Sequence, residues 1–256
     1  GIDDDQNGYI DDVYGWDFID QDNNVDSTED PTHGTHVSGI ITGVSNNLYG
    51  GSGIAPGLKV MPLRWYGSSG NWTSAIIAET YHYAVANGAK IISTSYGIDF
   101  LVEDKLYRDT LLYVKENDVL VFNSAGNGDF ENPERQKIED VILVCSVGSK
   151  RSNVDKKSKF SNYGTGIDIC APGDPIFSTV QIKYGTVDRY ADLSGTSMAT
   201  PVAAAVAGLI WSVNPNFSAT DVRLKLLQTA DNIDNKNQSY KGMLGAGRIN
   251  AFSAVK

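Results

Sequence analysis

Between residues 196 and 213 the sequence is apolar nearly all the way round a helix, with four alanines and two valines in the six residues after Pro201. A helix without a polar face has to be buried on every side, so the remainder of the chain must enclose it. The enclosing segments alternate in kind. Residues 59–63, 90–94, 118–123 and 141–147 are short apolar runs of strand length, whereas 35–43, 73–87 and 101–117 are helical in character. In 73–87 the repeat is Ile76, Ile77, Tyr81, Ala84 and Val85, and Gly88 stands where a glycine commonly ends a helix. In 101–117 it is Leu106, Leu111, Leu112 and Val114. Ser218-Ala219-Thr220-Asp221 opens the last long helix, with Ser218 as its cap and Asp221 favoured by the helix dipole. Apolar strands alternating with helices predict a three-layer α/β domain with a mainly parallel central sheet flanked by helices. No repeat or low-complexity linker interrupts residues 1–256, which read as a single domain. Ligands of such sheets bind beyond the carboxyl ends of the strands, so the chemistry is expected there.

The formal net charge of −10 is local. Residues 1–30 hold ten Asp and one Glu, and no Lys or Arg occurs before Lys59. From Lys59 onward acidic and basic residues nearly cancel, and no basic patch suggests a nucleic-acid partner. Residues 1–30 read as an acidic loop with aromatic interruptions at Tyr14, Trp16 and Phe18. Within it, Asp3, Asp5, Asn7 and Asp11 place oxygen ligands around a turn at Gly8, in a pattern like the start of a calcium loop. The twelfth position is Tyr14 rather than Glu, which leaves Asp12 or Asp17 to complete the ligand set. A solvated acidic turn is the competing reading. Calcium is preferred because eleven uncompensated acids repel one another without a cation. Cys145 and Cys170 lie in apolar runs and read as two buried thiols, with a disulfide as the alternative. No apolar run approaches the ~20 residues of a membrane span, and no signal peptide is present.

Three short segments carry chemistry-bearing residues: His33-Gly34-Thr35-His36-Val37-Ser38-Gly39, Asn123-Ser124-Ala125-Gly126-Asn127-Gly128, and Gly195-Thr196-Ser197-Met198-Ala199-Thr200-Pro201. Ser197 opens a buried helix, where its hydroxyl sits at the positive end of the dipole. A serine is a poor nucleophile until a base removes its proton, and the chain has three histidines to choose from. His33 and His36 begin one helix. His82 lies between two tyrosines and reads as an ordinary helix-surface residue. Asn127, in a Gly-Asn-Gly turn after an apolar strand, is either a turn residue or an amide aimed at a developing oxyanion. A nucleophile-elbow esterase is disfavoured, because Gly-x-Ser-x-Gly is absent and His precedes Ser.

Taken together, the order His, Asn, Ser and the words around each resemble the subtilase family of serine proteases. Gly53-Ile54-Ala55-Pro56, Ala171-Pro172-Gly173 and residues 91–97 and 245–254 are similar to its framework segments. The resemblance implies a serine endopeptidase acting through an acyl-enzyme on Ser197, with His33 as general base. Asn127 and the Ser197 N–H would form the oxyanion hole, and His36 would be structural. It implies that a polypeptide substrate pairs with Ser95-Tyr96-Gly97 on one side and with the Gly67 to Gly70 segment on the other. It also implies a secreted or cell-surface location. The family's triad further needs an Asp at the end of an apolar first strand, and no such strand occurs here. The chain is therefore expected to be incomplete at its N-terminus, starting inside an insertion that follows that Asp, with an intact closing segment at residues 247–250. An upstream segment or a second chain would then supply the carboxylate, while Asp11 and Asp12 are disfavoured substitutes. The alternative is a catalytically impaired or inactive domain, a pseudoprotease or one chain of a split protease, that binds peptides or a partner chain.

Overall fold

The structure, a computed structural model, describes residues 1–3, 5–26, 31–67, 73–181 and 189–256. Its centre is a parallel sheet of β3 (Ile91–Thr94), β4 (Leu120–Ser124), β5 (Ile142–Gly148) and β6 (Ile169–Asp174), in that spatial order. Apolar side chains alternate across it, as a sheet covered on both faces requires. Leu120, Phe122, Ile142 and Val144 pack on one side with Ala199, Ala203 and Ile210 of α4 (Thr196–Val213). Val119, Val121 and Val141 pack on the other with Ile77 and Tyr81 of α2 (Ser74–Ala86) and Leu111 and Val114 of α3 (Lys105–Glu116). Behind α4 lies α1 (Pro31–Thr42), which also packs on β7 (Ile176–Thr179) of an antiparallel pair with β8 (Tyr190–Leu193). The three-layer α/β arrangement is the one the alternating pattern predicts. α5 (Ala219–Gln228) starts in a full capping box between Ser218 and Asp221, and α6 (Ala251–Ala254) closes the described chain.

Several boundaries differ from expectation for local reasons. The helix expected over 101–117 divides, because Asp104 accepts the Tyr107 N–H and caps α3, while Leu101 ends a separate 3-10 turn. Its inward face is Tyr107, Thr110, Leu111 and Val114; Leu106 and Leu112 are exposed. Of the strand expected over 59–63, only β2 (Leu63–Arg64) forms, paired in parallel with β1 (Trp16–Asp17). The acidic loop is thus partly structured. Trp16 and Phe18 are buried with Tyr83, and Tyr9 packs edge-on against all three rings. Tyr14 is exposed.

The two cysteines correct the reading of free thiols: Cys145 and Cys170 are joined in a disulfide. They sit directly opposite each other on neighbouring strands β5 and β6, with Cα atoms 4.4 Å apart, an adjacency that two separate apolar runs do not reveal. The expectation about membrane spans also needs qualification. By length and composition α4, with 18 residues at a mean hydropathy of 1.4, could cross a bilayer, but it lies mostly buried inside the domain.

Among the described residues β3 is an edge strand of the central sheet, and β2 belongs to a separate two-stranded ribbon. Between them runs a cleft of about 2280 Å³. Leu63 and Trp65, Ile91 and Ile92, Tyr81 of α2 and Gly208 of α4 are among the residues that line it. His33 and Ser95 line the same cleft.

Candidate active site

Ser197 is half-buried in the first turn of α4 while Thr196, Met198 and Ala199 around it are fully buried. Its setting follows from Pro201. Proline has no N–H, so the carbonyl four residues back, that of Ser197, loses its intrahelical donor. The Ser95 hydroxyl takes that place, donating to Ser197 O at 3.0 Å. Ser197 Oγ donates in return to Ser95 O at 3.2 Å. The start of α4 is thereby tied to the segment that leaves β3.

Asn127 is oriented by its acceptor. Its Oδ1 receives the Thr196 N–H at 2.9 Å and the Thr196 hydroxyl at 2.8 Å. With the oxygen committed, the amide Nδ2 is the free end, and it lies beside Gly195 at the mouth of α4. The loop carrying Asn127 is pinned by Asn162, whose Oδ1 accepts from the Gly128 and Phe130 N–H groups and whose amide donates to Ala125 O. Gly126 has φ of +97°, and a Cβ there would stand 2.5 Å from Asn162 Nδ2, so no larger residue fits. Asn162 lies far from the motifs in sequence, and only the contact reveals its part.

The three histidines separate cleanly. His82 is exposed and stacks on Tyr113 at 4.3 Å. His36 is fully buried, with Nε2 at 3.1 Å from both Ile176 O and Ala191 O. Two carbonyl partners require Nε2 to be the protonated nitrogen, and burial pushes the ring's pKa down. His36 therefore locks α1 to the β7–β8 hairpin. His33, in the first turns of α1, is half-buried and lines the same cleft as Ser95, Tyr96 and Gly97.

Asn123 shapes the segment expected to pair with a substrate. It is fully buried and donates to Thr94 Oγ1 at 2.9 Å and Tyr96 O at 3.0 Å, fixing the chain as it leaves β3. The Tyr96 hydroxyl bonds that of Tyr81 at 2.9 Å, and its ring meets Trp65 edge-on at 4.4 Å. Trp65 leads into the buried Gly67, so the two expected substrate-flanking segments share one aromatic contact. Gly70 lies outside the described residues.

Next to this site is an ion pair that motif reading missed. Arg135 is buried and donates through Nε at 3.0 Å, and through Nη2, to Asp99 Oδ2. Its Nη1 donates to Ser124 O at 2.6 Å and its backbone N–H to Asp99 Oδ1 at 3.0 Å. Burial raises the Asp99 pKa, but the hydrogen bonds and charge of Arg135 outweigh it and hold the carboxyl below its ordinary value.

In the acidic loop the carboxylates turn inward onto hydrogen-bond donors. Asp3 accepts from the Asn7 and Gly8 N–H groups, and Asp5 and Asp12 accept from the Asn7 amide. Asp11 holds the terminal ammonium, and Tyr83 donates to Asp12. Among the described residues no three such side chains converge as a metal-binding group. In this arrangement the oxygens bond several separate donors rather than facing a common centre, and the fit to a cation is incomplete.

Residues 1–247 match the model of the subtilase family, Peptidase_S8. The chain is 37% identical over 245 residues to thermitase from Thermoactinomyces vulgaris, covering 95% of this chain and 81% of that protein. It is 36% identical over 244 residues to a thermophilic serine proteinase from Bacillus sp. (strain AK1), covering 95% of this chain but only 56% of that protein. Among solved structures, a lanthipeptide protease superposes with a TM-score of 0.73 at 24% identity, over 95% of this chain and 80% of the other, a likeness of fold.

Proposed function

The chain belongs to the subtilase family, and from that premise we propose that it is a serine endopeptidase with Ser197 as nucleophile, His33 as general base and Asn127 as oxyanion donor. The observation that carries this reading is the capture of Asn127 Oδ1 by Thr196, which leaves Nδ2 free beside the N-terminus of α4. An extended peptide would pair along Ser95-Tyr96-Gly97, opposite the segment that begins at Gly67, by strand addition. The Ser197 hydroxyl turns from Ser95 O to His33 Nε2, gives up its proton and attacks the scissile carbonyl. The oxyanion is held by Asn127 Nδ2 and the Ser197 N–H, one of the first-turn donors that have no intrahelical partner. His33 then protonates the leaving amine. Water, activated by the same histidine, hydrolyses the acyl-enzyme.

In the family's triad the general-base histidine gives its second ring N–H to an Asp carboxylate, which fixes the tautomer and stabilises the imidazolium. We propose that a strand from an upstream segment or a second chain supplies that carboxylate. The cleft between β2 and β3 supports this second component, since His33 lies on its lining and an extended strand there would pair with the free edge of β3. Without it the domain would be catalytically impaired while keeping its peptide-binding segments. The Cys145–Cys170 disulfide supports an oxidising, extracytoplasmic location. Calcium in the loop of Asp3, Asp5, Asn7 and Asp11 is likewise proposed, on the ligand pattern and the charge excess. The test is turnover of a peptide substrate by the isolated chain and by the chain supplied with its upstream segment, each beside Ser197→Ala. The reading expects slow or no turnover alone and an increase of about 10⁴ on completion. Equal rates would place the carboxylate within residues 1–30, and an inert completed protein would leave only the binding role.

A further inference from the structure

The segments that carry Ser95 and Asn127 leave the carboxyl ends of adjacent strands β3 and β4, the end of an α/β sheet at which ligands bind. Arg135 lies between them. A Cβ added to Gly97 would lie 3.2 Å from Arg135 Nη2, and one added to Gly126 would lie 3.5 Å from Arg135 Cζ. The guanidinium therefore spans the gap between two glycines, one in each segment. It is bonded to both segments, through Asp99 two residues beyond Gly97 and through Ser124 O two residues before Gly126.

We propose that the Arg135–Asp99 pair sets substrate preference by flooring the pocket for the side chain that precedes the scissile bond, selecting short side chains with an oxygen acceptor, such as Asn, over large apolar ones. The proposal rests on the reading of Ser197 as the nucleophile. Two physical effects carry it. First, the buried guanidinium occupies the depth that a Leu or Phe side chain would need. Second, of its five N–H donors three are committed to Asp99 and Ser124 O. The remaining two, one on each terminal nitrogen, require an acceptor or water. An apolar side chain closing over them would strand buried donors, and a site of that kind discriminates strongly against ligands that lack the matching group. A lysine at the same position would face the guanidinium.

The experiment is equilibrium binding of peptides that are identical except for a last residue of Asn, Asp, Leu, Phe or Lys. It uses the full chain, the chain carrying Arg135→Ala, and the chain carrying Asp99→Asn. Fluorophosphonate labelling of Ser197 in the full chain is measured alongside. The proposal expects Asn to bind at least about tenfold tighter than Leu or Phe, and Arg135→Ala to reverse that order by opening the floor. Removing one member of a buried pair is destabilising, so the near-isosteric Asp99→Asn provides the second arm. With its counter-charge gone, Arg135 should make Asp the preferred last residue. Leu or Phe preferred by the full chain, or a ranking unchanged in a folded Asp99→Asn variant, overturns the proposal while labelled Ser197 leaves the protease reading standing. Absence of both peptide binding and Ser197 labelling overturns the two together.

Discussion

Asn127 shows how one side chain acquires a direction. Thr196 occupies its oxygen twice, which leaves the amide hydrogens beside Gly195, where the proposed oxyanion would form. Removing such a donor typically costs about 10²–10³ in kcat. Asn127→Ala in the active, completed protein is expected to show that loss with little change in KM, measured by steady-state hydrolysis of a peptide substrate. His36 supplies a pH prediction. Its pKa is lowered in the folded protein by burial, so the unfolded chain binds the proton more readily. Stability is then fully present above the unfolded histidine value near ~6.5 and declines as pH falls from there through the lowered folded value. Urea midpoints at several pH values should show that decline, and His36→Gln should flatten it. The roles proposed for His33, Asn127 and Ser197 were legible in the sequence because the words around them are specific. Asn162, Asn123 and the Arg135–Asp99 pair were not, because each acts by bonding a segment distant in sequence. The acidic loop gave its ligand pattern but not its partners. If calcium binds there, EDTA should lower the melting temperature and Asp5→Ala should remove most of the difference; an unchanged midpoint in EDTA would count against the metal.

Among the elements, helices were read best where a cap or a burial pattern was written into the sequence. α4 has the bounds expected from its apolar run, and α5 begins at the Ser218 cap. The capping box should contribute about 0.5–2 kcal/mol, so Ser218→Ala is expected to lower unfolding free energy by that amount in urea titration without altering peptide binding. α3 was read too long because Leu101 is apolar for a different reason: it fills the core from a 3-10 turn, and the helix waits for Asp104. Strands fared less evenly. β4 and β5 are apolar on both faces and have neighbours on both edges, so periodicity and pairing agree. Residues 59–62 have the composition of a strand but form none, and hydrogen-bonding partners rather than composition decide whether such a run becomes one. The disulfide stood only as the alternative reading for a related reason, since register between β5 and β6 is a property of the sheet and not of either run.

At the scale of the whole molecule, the layered architecture places the proposed nucleophile at the N-terminus of a helix packed between the sheet and α1, and His33 on a cleft beside β3, an edge strand among the described residues. A strand filling that cleft would add backbone pairs to β3 and bury the apolar walls now facing it, so supplying the upstream segment is expected to raise the melting temperature as well as the rate. The catalytic gain should match the cost of losing the triad's Asp, roughly 10⁴ in the worked case of subtilisin, a relative of this chain. The central claim is that His33 activates Ser197, and a labelling rate can test it in the isolated chain as well as in the completed protein. It is tested most directly by intact-mass and peptide mapping of the chain after reaction with a fluorophosphonate. The account predicts a single adduct on Ser197, abolished in Ser197→Ala and formed far more slowly in His33→Ala. An adduct that persists in Ser197→Ala, or forms at the same rate without His33, would contradict it.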